Sequence, residues 1–481
     1  MAISVEVNPG AQSDTPQEGK RSTPPARSER RSLAVTAAAA AFIGAVAIVV
    51  PFLKPADAAE ASLEWPEQRL PEASPVLPGA DADAPPADPA SVAAAIDPLL
   101  QNSALEGDLA VSVLDGFTGE ELYSHNDAQS LTPASSTKVV TAVSVLATRG
   151  AGYRIPTRIV AGASPGEVML VAGGDVTMSS DGDGFYRNAA QLSDLADQAK
   201  KALGDTQITQ LTVDTSVFSG ELTSPGVDSS DVAGGYTADL TPVMIDGGRV
   251  DPNGPESPAK RHEDPVFAAT SALAEHLGLG ADAYVEYGEA DPNAEELGVV
   301  HSPPMQQLLE YALDESDNVL TDALARQAAL ASDRPGTFED AAAAAQEVLD
   351  SLEVPTDGVS LVDGSGLSGK NRLTARALAG ALQQAASPDH PELSGVFAGL
   401  PVAGYSGTLG DRYEGENADG VGVVRAKTGT LNKVSSLTGA VVDADGRLLM
   451  FSVILNDRGD QYAAQDAIDA VAVALSRCGC G

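Results

Sequence analysis

The sequence predicts an α/β fold: an antiparallel sheet flanked by helices, assembled from both ends of the chain and interrupted by a large β-rich insertion, one domain or a pair. Three observations carry this. Strand-like runs separated by turn signals occur near residue 110 and again after residue 420. Apolar residues at helical spacing follow each set. Between about 155 and 298 the texture changes to short strand-like runs in Gly- and Ser-rich loops. At 481 residues the chain is long enough for two or three domains.

The first 32 residues are polar and carry Arg21, Arg27, Arg30 and Arg31. They read as a disordered leader held in the cytoplasm by its arginines. Residues 33–53 are free of charge and of bilayer-crossing length, roughly 17–25 residues. Ala56-Asp57-Ala58 then resembles a small-residue cleavage site. The run is a transmembrane signal anchor or a cleaved signal peptide. Either way the remainder lies outside the cytoplasm. Residues 59–90 are rich in Pro, Ala and acids, too poor in apolar surface to fold, and are expected to act as an extended linker; the only tryptophan, Trp65, sits there.

Folded sequence is expected from 91. Leu109–Leu114, the turn Asp115–Gly119 and Glu121–Tyr123 read as strand, turn, strand. Leu131-Thr132-Pro133-Ala134-Ser135-Ser136-Thr137-Lys138 opens a helix continued by Val139, Val140, Val143 and Leu146. The insertion, placed at 156–298, has strand-like runs at Arg158–Ala161, Val168–Ala172 and Ile208–Val213 and helical patches at Leu192–Leu203 and Val266–Leu277. The first domain, 91–155, resumes at 299–481. Near the end Leu437–Val442, the turn Asp443–Gly446 and Leu448–Leu455 signal a hairpin. Ile468, Val471, Ala472 and Leu475 mark a closing helix.

Ser135 and Lys138 share one helix face, which gives a weak hydroxyl nucleophile an amine neighbour without a histidine. A second Ser-x-x-Lys, Ser257–Lys260, lies among Pro252, Gly254, Pro255 and Pro258 and reads as loop. Ser316-Asp317-Asn318 sits between two helical stretches and can place a hydroxyl and an amide on one side of a cleft. Lys427-Thr428-Gly429-Thr430 offers a cation, two hydroxyls and a glycine that lets a ligand approach the backbone. The bulk numbers narrow the rest. A net charge of −39 argues against nucleic acid. The five histidines are scattered without a His-Glu-x-x-His, so neither zinc nor another cofactor is expected. The two cysteines, Cys478 and Cys480, read as a flexible tail, because a ring that small is strained.

Ser-x-x-Lys, Ser-Asp-Asn and Lys-Thr-Gly, in this order, occur in β-lactamases and penicillin-binding proteins. The 178-residue separation of Lys138 and Ser316 is long for a β-lactamase. With Gly173-Gly174-Asp175, Asp363–Ser368, Asn371–Thr374, Ala403–Arg412 and Arg425–Leu431, the chain resembles the class C low-molecular-mass penicillin-binding proteins, the D-alanyl-D-alanine carboxypeptidase/endopeptidase family S13. The resemblance implies a penicillin-recognising, β-lactamase-like catalytic domain at 91–155 and 299–481, located in the cell wall or at the membrane. Peptidoglycan stem peptides ending in D-Ala-D-Ala would be the substrates and β-lactams covalent inhibitors. Ser135 would attack the penultimate carbonyl, with Lys138 as base and Ser316 as relay to the leaving D-alanine. Asn318 would hold the substrate amide. Lys427, Thr428, Gly429 and Thr430 would bind its carboxylate, and the N–H groups of Ser135 and Thr430 would form the oxyanion hole. Burial and the second cation, Lys427, would favour a neutral Lys138.

Two departures stand out. Lys370 follows Gly-Leu-Ser-Gly where relatives often carry arginine, so it would contact the distal stem peptide only as a point charge. No tryptophan stands near Val227; Asp228 and Asp231 are candidate partners for a substrate amine. The alternatives are a β-lactamase, disfavoured because no Glu-x-x-Leu-Asn is present to activate a deacylating water, and a catalytically dead wall-binding scaffold, disfavoured by three intact motifs.

Overall fold

The computed structural model describes residues 79–254, 256–280 and 285–481. The leader at 1–32, the apolar run at 33–53 and Trp65 lie outside the described residues. Among those described, no helix is long and apolar enough to cross a membrane.

The chain runs through α1 (Pro89–Ile96), β1 (Asp108–Asp115), β2 (Glu121–His125) and α2 (Thr137–Thr148). There follow β3 (Pro156–Ala161), β4 (Glu167–Val171), β5 (Asp175–Met178), α3 (Leu192–Leu203), β6 (Gln210–Asp214), α4 (Ser229–Ala233), β7 (Val243–Ile245), α5 (Pro265–Leu277), β8 (Val285–Tyr287) and β9 (Glu296–His301). Then come α6 (Met305–Asp314), α7 (Asn318–Ala331), α8 (Phe338–Ser351), α9 (Ala375–Ala386), β10 (Arg425–Leu431), β11 (Val434–Val442), β12 (Leu448–Asn456) and α10 (Gln461–Arg477).

The first sheet has five antiparallel strands in the order β10-β11-β12-β1-β2, so the chain's two ends meet between β12 and β1. Side-chain alternation divides its residues between two cores. From β12, Met450 and Ile454 join α2, α6, α7, α8 and α9 on one face. Leu449, Phe451, Val453 and Leu455 join α1 and α10 on the other. With both faces covered, the strands are apolar nearly throughout, which is why they were legible as strands but not as one-sided ones. Helix α2 runs through the first core and is buried from Thr137 to Leu146.

The segment between β3 and β9 has a sheet of its own, in the order β8-β6-β4-β3-β9, and its own core against α3 and α5. Strand β3 is antiparallel to both β4 and β9, whereas β4, β6 and β8 run parallel. The parallel step from β4 to β6 passes through α3, as such crossovers require. A parallel pair, β5 and β7, leads from this sheet toward α7.

Two expectations fail at the chain's ends. The linker does not extend free to residue 90. The Asp81 N–H donates to the Gly446 carbonyl, Arg447 donates to the carbonyls of Ala82 and Ala84, and α1 starts at Pro89. Arg447 is fixed by a buried pair with Asp115, 2.6 Å apart. The C-terminal tail is not flexible either. Cys478 and Cys480 are bonded to each other, Cys480 is fully buried in the second core, and its carbonyl accepts from the Asp88 N–H. Composition misread both segments because each is ordered by the other.

Candidate active site

The serine turn is built before the helix begins. Asn456, at the end of β12, clamps Thr132 by accepting from its N–H at 2.9 Å and donating to its carbonyl at 3.0 Å. Ala134 takes a left-handed φ of 50°, and Ala134–Ser136 forms a single tight turn that runs into α2. Ser436 of β11 donates to the Pro133 carbonyl at 2.7 Å and shares a hydrogen bond with Ser136. Two glycines allow the close packing. A Cβ on Gly429 would lie 2.6 Å from the Pro133 carbonyl, and one on Gly366 would strike the Ala134 carbonyl. Gly429 therefore serves the approach of β10 to the serine turn, as well as any approach of a ligand.

Lys138 is buried one turn along, and its Nζ has three acceptors: Ser135 Oγ at 3.0 Å, Asn318 Oδ1 at 2.7 Å and the Ser365 carbonyl at 2.6 Å. Three acceptors suit an ammonium; a neutral amine would leave one bond unmade and turn a lone pair toward a proton. Burial pushes Lys138 down to about 8, against the opposing charges of Asp322, Asp363 and Asp317. Lys427 is also fully buried and is held well below its ordinary value by burial and then by Lys138; its Nζ donates to the Thr428 carbonyl at 3.1 Å. Burial is thus the main cause that favours a neutral Lys138, and the mutual repulsion is felt chiefly by Lys427.

Ser316 sits between α6 and α7 with a φ of 57°, partly exposed. Asp317 caps α7 by accepting from the Leu320 N–H at 3.0 Å. Asn318 opens that helix; its amide donates to the Tyr236 carbonyl at 3.0 Å. A cavity of about 400 Å³ lies beside these residues, lined by Ser316, Asn318, Tyr236, Arg249 and Arg261. Ser257 also lines it, from an irregular loop, so the second Ser-x-x-Lys copy is not on a helix.

Asp317 has a further role that sequence reading missed. Its Oδ2 accepts from Tyr186 Oη at 2.7 Å and Arg249 Nη2 at 3.0 Å, both from the inserted segment. Arg249 also stacks over Phe185 at 3.5 Å. Burial would raise the carboxyl, but Arg249, Arg261, the Leu320 N–H and the Tyr186 hydroxyl hold it well below the usual range. Arg249→Met strands a buried carboxylate and is expected to cost ~3–5 kcal/mol in denaturant unfolding. A depressed carboxyl lends stability that is present above its unfolded value of 3.8 and is lost as pH falls below it. That acid-side loss is expected to shrink in Asp317→Asn.

Thr428 donates to Thr408 Oγ1 at 2.7 Å; Thr430 is exposed, and its hydroxyl accepts from Gln465 at 3.3 Å. Lys370 is exposed, its aliphatic stem beside Gly226, and Asp231 lies on α4. Neither lines the cavity at Ser316. The buried carboxylates Asp322 and Asp363 were not singled out by sequence. Asp363 opens the Asp363–Ser368 stretch; Asp322 stands one turn after Asn318, a spacing that could have marked it.

The description "D-Ala-D-Ala carboxypeptidase 3 (S13) family" matches the chain over residues 92–263 and 255–478. A carboxypeptidase of Mycobacterium tuberculosis is 40% identical over 412 residues, covering 84% of this chain and 87% of its own. Carboxypeptidase DacB of Mycolicibacterium smegmatis is 38% identical over 455 residues, covering 93% and 95%. The crystal structure of penicillin binding protein 4 from Haemophilus influenzae shares the fold, with a TM-score of 0.64 at 21% identity over 78% of this chain and 97% of that one.

Proposed function

The chain belongs to the D-Ala-D-Ala carboxypeptidase 3 (S13) family, and on that premise we propose that it removes the terminal D-alanine of peptidoglycan stem peptides through an acyl-enzyme on Ser135. The observation that carries this reading is the buried Lys138 amine, 3.0 Å from Ser135 Oγ and tied to Asn318.

Ser135 Oγ attacks the penultimate D-alanine carbonyl as Lys138 takes its proton. The developing oxyanion is met by the N–H groups of Ser135 and Thr430; the first stands at a helix start, where free N–H groups and the positive dipole end favour an anion. Ser316 passes a proton to the amine of the departing D-alanine as the C–N bond breaks. Asn318 holds the substrate amide, and Lys427 with Thr428 and Thr430 receives the terminal carboxylate. An incoming anion offers Lys427 the partner it lacks, which raises its pKa toward the charged form. Water then hydrolyses the ester and returns the proton to Ser135. A β-lactam presents the same carbonyl and carboxylate, so it acylates Ser135 and stays. Endopeptidase action on D-alanine cross-links, and substrate contacts by Lys370 and Asp231, extend the same reading. The uncharged run at 33–53 supports a site of action outside the cytoplasm, at the membrane or in the wall.

With Lys138 near 8, roughly a tenth of the amine is neutral at pH 7. Release of free D-alanine from a short acyl-D-Ala-D-Ala peptide is therefore expected to climb between pH 7 and 9 and level off above. A flat profile across that range removes Lys138 as the base. Chromogenic β-lactams are expected to give one slow turnover; rapid multiple turnover would favour the β-lactamase reading.

A further inference from the structure

We propose that Asp322 is a positioning residue for this reaction: its carboxylate holds the Gly364–Ser365 turn whose carbonyl seats the Lys138 amine on Ser135, and its negative charge governs the protonation of that amine. The inference rests on the acyl-transfer reading above and assigns the control of its base.

Two of the three acceptors around Lys138 Nζ are motif side chains. The third, the Ser365 carbonyl, is backbone, and a backbone group stands where its neighbours put it. Asp322 Oδ1 accepts from the Gly364 N–H at 2.9 Å and from the Ser365 N–H at 2.8 Å. Thr141, one turn beyond Lys138 on α2, donates to the Gly364 carbonyl at 2.7 Å from the other side. Gly364 packs so closely that a Cβ there would lie 2.5 Å from the Ala325 side chain of α7. The turn is thus pinned between the helix that carries Lys138 and the helix that carries Asn318. Asn318 and Asp322 are four residues apart on α7; one meets Lys138 directly and the other through Ser365.

The neighbouring Asp363 does different work. Its two oxygens accept from the Gly366 and Ser368 N–H groups, Asn371 Nδ2 and Ser224 Oγ. Three of these donors fold its own loop and the fourth, Ser224, ties that loop to the inserted segment; none belongs to the turn that seats the amine. Asp322 accepts from the Gly364 and Ser365 N–H groups and is stabilised further by the Ser365 side chain, so it holds the turn that seats the amine while standing first among the charges that attract it.

The charged groups facing this cluster are Lys138 from α2, Lys427 from β10, Asp363 from the loop after α8, Asp317 from the cap of α7 and Arg326 from α7 itself. Asp322 is first among those opposing the desolvation of Lys138. Burial and then Asp363 push Asp322 itself up to about 7, against Lys138. Each of the two groups thus biases the protonation of the other.

The test is the pH dependence of the rate constant for acylation of the full chain by benzylpenicillin, in wild type, Asp322→Asn and Asp322→Ala. Asparagine keeps an acceptor oxygen for both N–H groups and removes the charge. Its inflection is expected to fall by about one pH unit or more, with a plateau within about tenfold of wild type. Alanine removes acceptor and charge, and its plateau is expected at least tenfold below that of asparagine; should it fail to fold, the asparagine variant decides. An inflection that is unmoved or raised in Asp322→Asn overturns the proposal and leaves Asp322 as an internal cap. A wild type that benzylpenicillin does not acylate overturns the functional reading, and this role with it.

Discussion

Ser135→Ala is expected to abolish covalent labelling of the protein by a fluorescent penicillin, and Ser257→Ala to leave it at the wild-type level. The two serines carry the same local spacing to a lysine, so the pair of variants separates spacing from context. Ser135 sits on a turn fixed by Asn456, Ser436 and two close-approach glycines, with Lys138 Nζ 3.0 Å away. Ser257 lies in an irregular loop that lines the cavity beside Ser316. The alanine variant at 135 removes one partly exposed hydroxyl and should fold normally, so the loss is chemical. Labelling that survives it would place the nucleophile elsewhere.

Lys138→Met is expected to lower acylation by ~10²–10⁴-fold, the usual worth of a positioned base. Methionine has nearly the length of lysine and fills the same buried channel, so Ser135 keeps its packing and loses its proton acceptor. The variant also strips the positive charge from between Asp322, Asp363 and Asp317, all of which attract it. Its acylation should therefore be both slow and stripped of the wild-type rise between pH 7 and 9. A profile that keeps that rise at reduced amplitude would assign the base to another group.

Much of the fold was legible because its signals are local. The turn Asp443–Gly446 and its flanking runs lie within one hairpin, and the apolar spacing after Ser135 lies within one helix. The pairing inside the inserted segment was not, because β4, β6 and β8 align in parallel across long stretches of chain. The site divides in the same way. Ser135, Lys138, Asn318 and Lys427 are side chains with distinctive chemistry, and their motifs were readable. The Ser365 carbonyl was not, since every residue has one and only the fold selects which is used. Asp317 was readable as part of a motif, but its partners Tyr186 and Arg249 lie 131 and 68 residues away. The docking of 81–88 against Arg447 and Cys480 escaped for the same reason, with one of its contacts spanning 365 residues.

The central claim is that Ser135 carries acyl transfer from D-Ala-D-Ala. Mass spectrometry of pentapeptide muropeptides incubated with the full chain tests it most directly. The predicted result is a product lighter by one D-alanine, with free D-alanine released in equal amount, and neither formed by Ser135→Ala. Muropeptides that bind the wild-type protein and are recovered unchanged would contradict it and make the chain a wall-binding scaffold.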